Sequence, residues 1–129
     1  MNVQSCIPKD KHDVSAVDRA RATGFPSFNE AIPELLVWIQ DLNWPVAEPV
    51  ASVLQNAGPE IAPHIRKILA GRDAVWKYWT IVLVVARSTP EVVRELLGEL
   101  ERLADDPNSD DKLESVDAVA QKVLDEHLV

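Results

Sequence analysis

The chain has 129 residues, 47% of them hydrophobic and 26% charged, which is long enough to bury about two thirds of its unfolded surface in one domain without staples. Its single cysteine, Cys6, excludes an internal disulfide, and its longest apolar run, residues 81–86, is too short to span a membrane. The formal net charge of -8 argues against nucleic acid as a partner; residues 1–88 balance nine acidic against nine basic side chains, so all of the excess lies in 89–129, with twelve acidic and four basic.

Residues 1–12 read as an N-terminal arm, extended or loosely docked, with no apolar signal-peptide core before its first charges; a cytoplasmic protein is the expectation. Lys9, Lys11, His12 and Asp13 form a charged cluster before the first periodic segment. Asp13 is placed to cap a short first helix in which Val14, Val17 and Ala20 recur at helical spacing up to Gly24. Ser27 and Glu30 have the spacing of a capping box for a second helix, and Pro33 resets its start. Leu35, Leu36, Ile39 and Leu42 then make a buried stripe, with Trp38 and Trp44 filling the joint to the next helix.

Residues 38–71 organise the architecture. Pro45 and Gly58 bracket one helix and Pro59 and Gly71 the next, because proline loses nothing at a first helical position and glycine closes a helix in the left-handed conformation. Each has a second proline four residues in, Pro49 and Pro63, so the spacing repeats after fourteen residues, as duplicated helical hairpins would. Asp73 then caps a nearly all-apolar segment to Ser88, on which Lys77, Thr80 and Arg87 leave only a narrow polar stripe and Trp79 is expected to pack inside. The β-branched run of residues 80–85 also suits a strand. Its length and the lack of any second strand to pair with favour a helix.

Thr89 and Pro90 open the acidic C-terminal helical pair, residues 89–129. Val92, Val93, Leu96, Leu97, Leu100 and Leu103 face inward in the first helix, and Leu113, Val116, Ala120, Val123 and Leu124 in the second. The expectation is an all-α chain of about seven short antiparallel helices.

Four blocks carry a resemblance: residues 7–13 (IPKDKHD), 34–54 (ELLVWIQDLNWPVAEPVASVL), 63–69 (PHIRKIL) and 75–79 (VWKYW). Together they resemble a bacterial family, domain of unknown function 5071, over nearly the whole chain, with Leu42 standing where that family suggests a methionine. The resemblance implies a small HEAT-like α-α superhelix and no assigned activity.

Chemistry is sparse. His12, His64 and His127 sit on separate segments away from Cys6, so no metal-ligand spacing is present, and there is no phosphate loop, dinucleotide fingerprint or nucleophile elbow; no cofactor is implied. The acidic pairs Asp105–Asp106 and Asp110–Asp111 read as solvated turn charges. Asp41, Asn43 and Trp44 make an acid, an amide and an indole in one turn. With Lys9, Lys11, His12 and Asp13, and with Trp76, Lys77 and Trp79 from the nearly all-apolar segment, they read either as turn chemistry or as a patch that holds a protein partner.

Three functions follow. One is a non-catalytic protein-interaction module. The second is an immunity or antitoxin-like inhibitor that sets its acidic face, with Glu95, Glu99 and Glu101 outward, against a basic partner. The third is a small hydrolase or ligand-binding protein with a site at Asp41, Asn43 and His12.

Overall fold

The computed structural model of the chain describes residues 3–25 and 29–127. Among them it is all helical, without a strand. The helices are α1 (Val14–Thr23), α2 (Ile32–Val37), α3 (Ala47–Leu54), α4 (Ala62–Leu69), α5 (Ala74–Leu83), α6 (Pro90–Glu95), α7 (Leu97–Asp105), α8 (Ser109–Leu113) and α9 (Val116–His127), with 3₁₀ turns at Val3–Cys6, Asn29–Ala31, Gly58–Ile61 and Val85–Arg87.

Seven periodic segments become nine α-helices among the described residues because the last two are each broken. Leu96, at φ -110° and ψ 5°, separates α6 from α7, and Ser115, at φ 63°, separates α8 from α9. The β-branched Thr80, Ile81 and Val82 stay in α5, whose start is fixed by Asp73 accepting the Trp76 backbone N–H at 3.0 Å. Propensity yields here to burial: Thr80, Ile81 and Leu83 are buried and Val82 packs partly on the core, which gains more than β-branching costs. Asp13 caps α1 by accepting from the Ala16 backbone N–H. The proposed Ser27–Glu30 capping box cannot be placed, as Ser27 lies outside the described residues.

The proline repeat does not give two matching helices. Pro45 stays in a turn and α3 starts at Ala47, so Pro49 falls in its first turn, whereas Pro59 opens a 3₁₀ turn and Pro63 opens α4. Each ring is still confined to a turn or a first helical turn, where its missing N–H has no helical partner to lose. The glycines also differ. Gly58 takes the left-handed conformation (φ 76°), but Gly71 does not; there an added Cβ would come within 3.2 Å of the Ile68 carbonyl oxygen, so its constraint is close approach.

One apolar cluster runs from Cys6 through Leu36, Leu54, Ile65 and Ile81 to Leu100 and Leu124. α2 and α1 pack on α3, α4 on α5, and α9 against both α7 and α5. The N-terminal arm is docked: Cys6 is fully buried, and Arg19 Nε donates to the Ser5 carbonyl at 2.6 Å. In α1 the inward face is Ala16, Val17 and Ala20, while Val14 is exposed.

Candidate functional site

The two N-terminal polar clusters meet through the backbone, since the Val46 N–H donates to the Lys11 carbonyl at 3.2 Å. Their carboxylates are occupied locally. Asp13 Oδ2 accepts the Lys9 N–H at 3.0 Å and its Oδ1 accepts from Ser15 and Ala16. The Lys9 N–H foremost, with those two bonds and the Arg19 charge, holds the Asp13 carboxyl below the usual carboxylate range against the opposing effect of desolvation. Asp41 Oδ1 accepts the Asn43 N–H at 2.8 Å, and the Trp44 N–H bonds the Asp41 carbonyl. Trp44 and Trp38 meet edge to face, 5.6 Å between ring centroids, and both are half-buried at the joint between α2 and α3. Lys11, His12 and Asn43 are exposed around this frame. These bonds are turn chemistry for Asp13 and Asp41.

Trp76 is placed elsewhere. Its indole N–H donates to the Leu36 carbonyl at 2.9 Å, tying α5 to the end of α2, and its ring lines a hollow with His64 and Lys67. Burial, then the neighbouring Lys67 charge, pushes the His64 pKa below its ordinary value.

Lys77 requires a correction. It was expected on a polar stripe and in a partner-binding patch, but it is 1% exposed and its Nζ lies 2.9 Å from Asp111 Oδ1, itself 1% exposed. Thr80 on the same face is fully buried too. Asp111, expected in a solvated turn, therefore closes the core, and its Oδ2 is buried with no hydrogen-bond partner among the described residues. The Asn108 side chain fixes its backbone by accepting the Asp111 N–H at 2.7 Å.

Leu113 is the matching correction. It was placed on the inward stripe with Val116, yet it is 80% exposed while Val116 is buried. A continuous helix would put residues three apart on one face, and the positive φ at Ser115 breaks that phase. Two adjoining hollows, about 250 and 200 Å³, share Leu113, Glu114 and the 41% exposed Val75, and form a cleft between α5 and α8. Trp79, expected inside, is half-buried and walls this cleft, stacked edge to face on Tyr78 at 4.8 Å. Asp73, Asp110 and Glu114 give the cleft an acidic rim, with Arg72 the basic residue lining it. No proline or glycine marks the break at Ser115, so of this cleft the residue pattern offered only Trp79, as a patch candidate.

The acidic face is divided. Glu95 and Glu101 are exposed, but Glu99 pairs with Arg66 Nε at 3.2 Å, and Arg66 Nη2 also donates to the Glu95 carbonyl at 2.9 Å. Glu99 is thus partly neutralised by a cation from α4.

A family model described as a domain of unknown function (DUF5071) matches residues 6–124. The chain belongs to that family. No curated protein matches it. The span shared with DUF5071 takes in both tryptophan joints, the Lys77–Asp111 pair and the whole α5–α8 cleft, so these belong to the family's own region of the chain. Among the described residues of this DUF5071 chain, no three His, Cys, Asp or Glu side chains are grouped to hold a metal ion. Among the described residues, no helix is long and apolar enough to cross a membrane. What the α5–α8 cleft can offer chemically is contact: two exposed aliphatic side chains, an aromatic wall and a carboxylate rim.

Proposed function

We propose that this chain is a non-catalytic protein-interaction module, a HEAT-like stack of short helices whose contact surface is the α5–α8 cleft. The observation that carries this reading is Leu113, a large aliphatic side chain 80% exposed beside Val75 and walled by Trp79. Apolar side chains set together at the surface and rimmed by polar groups mark interaction sites more often than scattered ones do. The stack reading draws support from neighbouring helices packed on one another, α2 on α3 and α4 on α5. The partner's contact segment is apolar at its centre and basic at its edges, complementing Asp73, Asp110 and Glu114.

The test is affinity capture from native cells with the parent chain and with Leu113→Asp and Val75→Asp. A protein retained by the parent and lost with both variants supports the reading, whereas equal retention by all three overturns it. Sedimentation of the purified chain shows whether a second copy occupies the cleft instead. The inhibitor reading is a special case in which the basic partner is an enzyme or toxin; what favours it is the concentration of the whole net charge in residues 89–129.

A further inference from the structure

We infer that a second groove, between α5 and α9, binds a small organic monoanion: a carboxylate with a short apolar body. This does not depend on the α5–α8 cleft. The groove has a volume of about 310 Å³ and an apolar floor formed by Ile81 and Val82 from one side and Val119 and Val123 from the other. At about 30 Å³ for each water-sized group, it holds on the order of ten non-hydrogen atoms, near the lower limit for small-molecule sites. A bare inorganic ion would leave that floor uncovered, so the ligand carries hydrocarbon.

Charge sets its sign. Arg87, from the 3₁₀ turn after α5, and Lys122, from α9, line the groove, and neither makes an ion pair or side-chain hydrogen bond among the described residues. These two cations line one groove in a chain of net charge -8; α5 itself carries no acidic side chain, and α9 carries Asp117, Asp125 and Glu126. Glu126 also lines the groove, four residues after Lys122, in the orientation that pairs poorly along a helix, and no ion pair forms between them. Two cations favour one negative charge, and Glu126 opposes a second, so a monocarboxylate fits better than a dianion such as phosphate. A guanidinium and an ammonium both give charge-assisted hydrogen bonds to a carboxylate and pair with its charge; an alcohol of the same length accepts the bonds without the ion pairing, and an alkylammonium accepts none and is repelled.

The experiment titrates the full chain with octanoate, octanol and octylammonium and follows backbone amide NMR shifts. Octanoate is expected to shift Tyr78, Val82, Val119 and Val123 saturably, on the order of tenfold more tightly than octanol, with octylammonium weaker still. Arg87→Ala with Lys122→Ala brings octanoate down to the level of octanol, and Glu126→Gln tightens it. Both cations are exposed, so the double variant should melt with the parent. Equal binding of octanol and octanoate, octanoate shifts confined to other helices, or undiminished binding by the double variant would each overturn the assignment.

Discussion

Lys77 and Asp111, 34 positions apart in the sequence, form an ion pair at 2.9 Å with both residues 1% exposed. Removing two charges from water is costly, and the Coulomb attraction regained rarely exceeds that cost. Asp111 Oδ2 adds a buried acceptor without a partner among the described residues, a defect of about 1–3 kcal/mol. The pair therefore does little for net stability. Its effect is positional: with Asp111 turned in toward α5, and the chain turned again at Ser115, Leu113 is presented outward.

Breaking the pair and replacing it should have opposite outcomes. Lys77→Ala leaves a buried carboxylate without its cation and is expected to cost about 3–5 kcal/mol in urea unfolding. Lys77→Met with Asp111→Leu should be neutral, or more stable by about 1–4 kcal/mol. If the pair fixes the phase of α8, the double variant should also change amide exchange at residues 113–116. Unchanged exchange would separate the pair from the placement of Leu113.

Local rules carried the sequence a long way. Pro33, Pro63 and Pro90 each fall in the first turn of a helix, Asp73 caps α5, and the stripe through Leu96, Leu100 and Leu103 is buried. What the residue pattern concealed depends on distant partners. Lys77 seemed polar and outward because periodicity has no term for a carboxylate 34 residues later. Leu113 seemed inward because three-residue spacing to Val116 presumes an unbroken helix. The candidate cleft rests on both of these points, so it was visible only in three dimensions.

Leu113 should behave unlike the leucines of its own apolar pattern. Leu113→Ala is expected to change stability by no more than about 0.5 kcal/mol, as exposed sites generally do. Leu100→Ala, at a fully buried position, should cost about 2–5 kcal/mol. Urea midpoints for the two variants decide this. A large loss at Leu113 would show that α8 is packed inward in solution, and the proposed contact surface would then be wrong.

His64 gives a dependence on pH with a definite sign. Desolvation, and secondly the Lys67 charge, lower its folded pKa below the ordinary imidazole value of 6.5. The folded state thus holds this proton less readily than the unfolded state does. Its contribution is fully present above the ordinary value and is lost as pH falls from there through the lowered folded value. Stability measured against pH should fall less steeply across that window in His64→Gln than in the parent. Imidazole NMR should place the His64 midpoint below 6.5, and a midpoint above it would contradict the burial seen beside Trp76.

The acidic face separates the inhibitor reading from the plain interaction module, and Arg66 dictates how it must be tested. Reversing Glu99 removes an ion pair as well as a surface charge, at a cost of up to about 1 kcal/mol, so it confounds stability with binding. Glu95 and Glu101 avoid this, because their side chains are exposed and Arg66 touches only the Glu95 carbonyl. With a basic partner in hand, Glu95→Lys with Glu101→Lys should slow association and flatten its dependence on salt while melting stays with the parent, since rim charges act through steering. Reversal at Asp110 and Glu114 should do the same if the partner sits on the α5–α8 cleft. Slowing by the second pair alone would confine the contact to that cleft, and association rates that match the parent at every salt concentration for both pairs would mean that neither acidic cluster guides a partner.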